Sequence, residues 1–215
     1  MSRKTRIAVK MVVWILCLLP LALLGQRAAS GDLTANPISF ITNWLGDWTF
    51  RILLATLALT PLRVLFGISW QISLRRLLGL FAFFYACLHF SVWILIDHFF
   101  NWDQMVADIL KRRYITVGML ALALLVPLAV TSTSRMVKWL GGVNWRRLHR
   151  LVYVTGMLAA LHFLWLAKKG RTDQYLYVAT LVVLLGIRVW DAVRRDMRKR
   201  RQHAAAAPAL VRDSG

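Results

Sequence analysis

Two histidines stand where the chain is otherwise almost purely apolar. His89 lies in the run Leu77–Ile96, LLGLFAFFYACLHFSVWILI, and His162 in Leu151–Ala167, LVYVTGMLAALHFLWLA. An imidazole is costly to keep in hydrocarbon and is retained there for a function. His89 follows Arg76 by 13 residues and His162 follows Arg150 by 12. At 1.5 Å per residue both stand ~18–20 Å beyond the basic residues that open their helices. Two neutral imidazoles at one depth on facing helices are good axial ligands for a haem iron. Ala86 on one run, with Ala159 and Ala160 on the other, would leave room for a flat macrocycle. Hydrogen bonding from helix to helix is the simpler use of the same side chains.

His149 is the third candidate ligand. It precedes His162 by 13 residues, which puts it about 20 Å lower and roughly 140° around a straight helix. It would share the upper site only if the helix bends, near Gly156, and otherwise serves a second one. Arg75, Arg76, Arg146, Arg147 and Arg150 gather at that lower level. Their guanidinium groups suit haem propionates or a flavin phosphate, although arginine at helix ends is first of all a topology signal. His98 and His203 fall outside the apolar runs and receive no role.

The elements that must position these residues are membrane helices. Of the 215 residues 59% are hydrophobic, a composition for one all-α integral membrane unit. Six spans follow from the apolar runs: roughly Ile7–Leu24, Trp44–Leu62, Leu77–Ile96, Tyr114–Val130, Leu148–Ala167 and Tyr175–Trp190. Each approaches the ~20 residues that cross a hydrocarbon core, and the expected architecture is a six-helix bundle with haem between helices three and five. Residues 7–192 form this domain, between an N-terminal stretch 1–6 and a basic tail 193–215 whose end, QHAAAAPALVRDSG, is expected to be disordered. Asp47 and Arg51 interrupt the second span at a spacing that lets them pair. The first span has a rival reading as a cleaved leader, with a basic stretch Ser2–Lys10 and a cleavage site near Arg27-Ala28-Ala29-Ser30.

The net charge of +19 would suggest nucleic acid in a soluble protein. Here the basic residues sit at span ends, where they read as orientation signals and contacts for anionic lipid; no nucleic-acid partner is expected. The N-terminus, the 2–3 and 4–5 loops and the start of the tail hold eighteen Lys and Arg against seven on the opposite side. Both termini are therefore expected in the cytoplasm, in a multi-pass membrane protein. Eight tryptophans near span ends, from Trp44 to Trp190, fit interface anchoring. Cys17 and Cys87 both lie in apolar runs, which argues against a disulfide framework or a zinc site.

Neither a Gly-rich nucleotide motif nor a hydrolytic triad or carboxylate pair is present in the sequence. With no self-contained substrate site, a haem protein of this kind is an electron conduit that depends on partners at both ends. A single haem in the outer half leaves much of a ~30 Å core uncrossed, so a second acceptor is expected near His149: quinone, FMN or another haem. Two other readings use the same residues. A proton- or metal-coupled transporter would use the intramembrane histidines as a relay, and a non-catalytic scaffold would merely pack them.

The sequence also carries a faint internal echo. Arg75-Arg76-Leu77 leads to Leu88-His89-Phe90, and Arg146-Arg147-Leu148 leads to Leu161-His162-Phe163, with spacings that differ by two residues. Several segments, in order, resemble a known family. They are Arg51-Ile52-Leu53-Leu54-Ala55-Thr56-Leu57-Ala58-Leu59-Thr60-Pro61-Leu62, then Arg75-Arg76-Leu77-Leu78-Gly79 leading to Leu88-His89. Thr131-Ser132-Thr133-Ser134 follows, and then Leu148-His149-Arg150-Leu151-Val152-Tyr153 leading to His162. From about Trp44 to Trp190 the chain resembles the MsrQ (YedZ) family, haem-binding membrane subunits of the bacterial periplasmic methionine sulfoxide reductase system. That family lies within the ferric-reductase-like transmembrane domains.

The resemblance implies haem b, with His89, His149 and His162 at the family's histidine positions. It implies electrons taken from the quinone pool or a cytoplasmic flavin reductase. They would pass to a periplasmic molybdopterin-containing catalytic subunit, in a heterodimer that repairs oxidised proteins. FMN is associated with the family, but no motif here marks a flavin site. Arg75 or Arg76 stands where the wider group often has a lower histidine, which puts a conventional second bis-histidine haem in doubt.

Overall fold

A computed structural model describes residues 2–166 and 173–212, with side chains described through Gln202. Helix α1 (Arg3–Ala29) starts where the Ser2 hydroxyl accepts from the Thr5 N–H at 3.1 Å. Helix α2 (Pro37–Phe66) opens on an Asn36 cap followed by proline and stops at Gly67, whose φ of 70° is the left-handed conformation that ends helices. A 3₁₀ turn, Trp70–Leu74, leads into α3 (Arg75–Val92), which runs on as one π-helical turn, Trp93–Asp97.

The chain then reverses through Phe99 and Phe100, both at positive φ, into the short α4 (Trp102–Lys111) and on to α5 (Arg113–Val130). Two short helices, α6 (Ser134–Leu140) and α7 (Gly142–Leu148), precede α8 (Leu151–Trp165). The last helix, α9 (Asp173–Arg212), carries the chain to its basic end. All regular structure among the described residues is helical.

Packing is organised around α2, which lies along α3 and also touches α1, α8 and α9, while α5 pairs with α8. Leu53, Leu57, Ala82, Tyr85 and Thr155 are almost fully enclosed at this centre. The Tyr85 hydroxyl donates to the Cys17 carbonyl at 2.7 Å and Trp44 Nε1 to the Pro20 carbonyl at 3.1 Å, which ties α1 to α3 and α2. Away from the centre the surface is apolar: Met11, Val12 and Ile15 on α1, and Val182, Val183 and Val189 on α9, are exposed. Apolar side chains facing outward on long helices mean that the solvent is lipid. The protein is a multi-pass membrane protein.

Five helical stretches among the described residues are long and apolar enough to cross a bilayer: Arg3–Ala29, Pro37–Phe66, Trp70–Asp97, Arg113–Val130 and Asp173–Gln202. The expected fifth of six spans, Leu148–Ala167, is shorter in the structure. The turn at His149–Arg150 delays its helix, and α8 has 15 residues, about 22 Å of rise; Ala167 lies outside the described residues. The final helix does not stop at Trp190 but continues through the basic segment to Arg212. Pairs at i,i+4 line it, Asp191 with Arg195 at 2.6 Å and Asp196 with Arg200 at 2.9 Å, a spacing that supports helix.

Candidate functional site

His89 on α3 and His162 on α8 meet. Their ring centroids are 6.2 Å apart and their planes lie at 82°. Each ring is fixed by a backbone carbonyl on a different helix. His89 Nδ1 lies 2.9 Å from the Thr42 oxygen on α2, and His162 Nδ1 lies 2.7 Å from the Tyr114 oxygen on α5. A carbonyl only accepts, so each Nδ1 carries the hydrogen and each Nε2 keeps its lone pair. This backbone-oriented imidazole is the arrangement found behind metal-bound histidines. An iron held by two such nitrogens at ~2 Å each would separate the ring centroids by about 6 Å, and the observed separation matches.

Glycine makes both rings possible. A Cβ built on Gly46 would come within 3.2 Å of the His89 ring, and one on Gly118 within 2.8 Å of His162 Nδ1. Each glycine stands four residues after the carbonyl that holds its histidine, Thr42 before Gly46 and Tyr114 before Gly118. The carbonyl thus faces the ring about one helical turn from the position where a side chain would block it. Ala86 and Ala159, each three residues before its histidine, line the same space.

That space is a cavity of about 280 Å³. Its lower wall includes Leu53, Leu125 and Thr155. Thr155 is 0% exposed and Gln174 3%, yet Thr155 Oγ1 and Gln174 Oε1 have no hydrogen-bond partner among the described residues. Buried polar atoms are rarely left so without a ligand or water to meet them. The mouth is charged. Arg112 Nε lies 3.2 Å from Asp108 Oδ1, and Arg112 Nη1 donates to the Tyr114 hydroxyl at 3.3 Å. The other Asp108 oxygen lies 3.2 Å from His98 Nε2. The Tyr114 hydroxyl, with Asp108 and Asp97, holds the Arg112 guanidinium above its ordinary value, a permanent cation.

The structure does not bring the other candidates to this cavity. His149 sits in the turn between α7 and α8, its ring 4.0 Å from that of Trp145 and its Nε2 3.1 Å from Thr131 Oγ1. The Thr131 hydroxyl donates to the Pro127 carbonyl at 2.6 Å, so Nε2 must be the donor to it and is occupied. Arg75 donates to Thr60 Oγ1 at 2.7 Å and Arg76 lies 3.5 Å from the Ser134 hydroxyl. Neither these two nor Arg146, Arg147 and Arg150 line the cavity, because they open or precede helices whose opposite ends carry the histidines. Ala160 points into the hydrophobic core instead. Among the described residues no three His, Cys, Asp or Glu side chains converge on one metal position. The sequence reading missed Gly46, Gly118, Thr42, Tyr114 and Arg112. The repeated four-residue step from acceptor to glycine, TNWLG and YITVG, was the available signal.

Residues 45–161 match the family described as ferric reductase like transmembrane component. The chain is 50% identical over 186 residues to a protein of Rhodospirillum rubrum, a match covering 86% of this chain and 89% of that one. The chain belongs to the MsrQ family. The Rhodospirillum rubrum relative is a protein-methionine-sulfoxide reductase heme-binding subunit MsrQ. Relatives of the same name in Ralstonia nicotianae, at 50% identity over 85% of each chain, and in Herminiimonas arsenicoxydans, at 51% over 86% of this chain and 85% of that one, agree. The family-wide match contains His89 and His149 and ends one residue before His162; the longer MsrQ matches span 183 to 212 residues.

Proposed function

We propose that this MsrQ-family chain is a haem b electron-transfer subunit of the inner membrane, with His89 and His162 as the axial ligands. One observation carries the reading: two intramembrane imidazoles 6.2 Å apart, each with Nδ1 committed to a backbone carbonyl. A haem bound there supplies a one-electron couple at its iron. The protein's own part is to present two Nε2 lone pairs, to hold both rings against glycine backbones, and to wall the space with Ala86, Ala159 and leucines. Low-polarity walls limit the solvent reorganisation that accompanies a change of charge.

In this reading α8 crosses as the fifth of six spans and both termini lie in the cytoplasm. Electrons enter from the quinone pool or a cytoplasmic flavin donor at the arginine-rich end. They leave near the cavity mouth for a periplasmic molybdopterin methionine sulfoxide reductase subunit, in support of repair of oxidised proteins. His149, the surrounding arginines and any FMN belong to the entry side. A transporter that uses the two histidines as a proton relay is not favoured, because each Nδ1 is bonded to a main-chain oxygen rather than to a chain of titratable groups.

The test is the reduced-minus-oxidised spectrum of the detergent-purified chain, with a pyridine haemochrome count. A low-spin b-type spectrum is expected, lost in His89→Ala and in His162→Ala. Full low-spin haem in both variants would remove the ligand assignment, and no haem in the wild type would remove the function.

A further inference from the structure

The cavity is asymmetric, and its mouth is where the sequence reading placed no ligand group. Haem is asymmetric in the same sense, with two propionate carboxylates on one edge and apolar substituents around the rest. The lower wall contains Leu53, Leu125 and the aliphatic flank of α5, whereas Arg112, Tyr114, Asn43 and Asp97 stand at the upper end. Among the described residues lining the cavity, Arg112 is the one Lys or Arg. We propose that Arg112 anchors a haem propionate, so that the macrocycle sits with its carboxylate edge toward the α4–α5 junction and its apolar edge down between α3 and α8. This rests on the haem reading above and adds the orientation and the anchoring residue.

Three observations support Arg112 in that role. It is held in place, since its Nε lies 3.2 Å from Asp108 Oδ1 and its Nη1 donates to the Tyr114 hydroxyl, which commits one of the five N–H groups of a guanidinium to a hydrogen bond. It is coupled to the ligand pair, because the same Tyr114 whose hydroxyl meets Arg112 gives its carbonyl to His162 Nδ1. The acid beside it is shared: Asp108 Oδ2 also lies 3.2 Å from His98 Nε2, so that carboxylate is not committed to Arg112 alone. A carboxylate entering the cavity meets Arg112 as its donor, in the charge-assisted geometry that favours arginine for carboxylates.

The experiment compares two probes on the full chain, produced without haem and titrated in detergent: haemin and haemin dimethyl ester, which lacks the carboxylates. Wild type, Arg112→Gln and Arg112→Lys are followed by Soret absorbance. Arg112→Gln is expected to weaken haemin binding by roughly tenfold or more, as loss of a hydrogen bond to a charged group does. It should leave the affinity for the dimethyl ester within about twofold of wild type, and Arg112→Lys should recover part of the haemin loss. Equal loss for both probes would make Arg112 a structural residue and overturn the proposal, and so would no change for either. Wild-type chain that binds neither probe would overturn the haem reading itself, a different failure from either of these.

Discussion

At the residue scale the site depends as much on what is missing as on what is present. The two imidazoles stood out in the sequence because their chemistry is foreign to an apolar helix. Gly46 and Gly118 did not, because a glycine inside a helix reads locally as a loss of about 1 kcal/mol, and its use depends on a ring from another helix. The two glycines differ in tightness: a methyl at 118 would lie 2.8 Å from His162 Nδ1, one at 46 no closer than 3.2 Å to His89. Gly118→Ala must therefore push the His162 ring off the Tyr114 carbonyl, while Gly46→Ala can be met by a few tenths of an ångström of movement. We expect Gly118→Ala to lose most of the low-spin haem signal in electron paramagnetic resonance, and Gly46→Ala to keep more than half. Equal retention in both would mean that the glycines do not set the ring positions. Arg112 was illegible for another reason. Within Lys111-Arg112-Arg113 it looked like a topology signal, and only the fold puts it at a cavity mouth.

At the element scale the internal echo becomes geometry. Helices α2 and α3 form one pair, α5 and α8 another, and each pair combines an accepting carbonyl, a glycine four residues on, and a histidine with an alanine three residues before it. The spacing mismatch that made the echo weak in sequence arises before the histidines, where α3 follows a 3₁₀ turn directly and α8 follows α7 through the His149–Arg150 turn. Hydropathy located the long spans well but not α4, whose exposed Trp102, Val106 and Leu110 repeat every four residues as in a helix lying in the membrane interface. Nor did it register Arg188, hidden in the last span. Its guanidinium donates to the Tyr153 hydroxyl at 2.7 Å and to the Leu57 carbonyl, and lies over the Tyr153 ring at 5.1 Å. Arg188 thereby joins α9 to α8 and α2, and its Nε has no partner among the described residues. Tyr153→Phe should cost about 1–3 kcal/mol by leaving a charged donor short of an acceptor. In an Arg188→Met background the same change should cost almost nothing. Thermal unfolding in nanodiscs of the four proteins of this cycle measures the difference, and an equal cost in both backgrounds would refute the pairing.

At the scale of the whole molecule the two ends are chemically distinct. One end carries the histidine cavity, with Asp97 and Arg112 in its lining and Asp108 beside Arg112, and the other carries His149 with Arg75, Arg76, Arg146, Arg147 and Arg150. His149 sits in the turn before α8, at the opposite end of that helix from His162, and is bonded to Thr131 rather than open toward the cavity. His149→Ala should therefore leave the low-spin spectrum intact while slowing reduction from the arginine-rich end in stopped-flow; unchanged kinetics would leave His149 only its contacts with Thr131 and Trp145. The proposed orientation rests on the bias in Lys and Arg, and it decides whether electrons are delivered outward at all. Gln104 on α4 and Asn144 on α7 are both exposed, at opposite ends. The native Cys17 is buried and Cys87 partly so, so background labelling is low. With a membrane-impermeant maleimide added to intact cells opened only at the outer membrane, Gln104→Cys should label and Asn144→Cys should label only after the inner membrane is breached. The reverse pattern would put the cavity mouth and Arg112 against the cytoplasm, and an electron on the histidine pair would then have no short route to a periplasmic subunit.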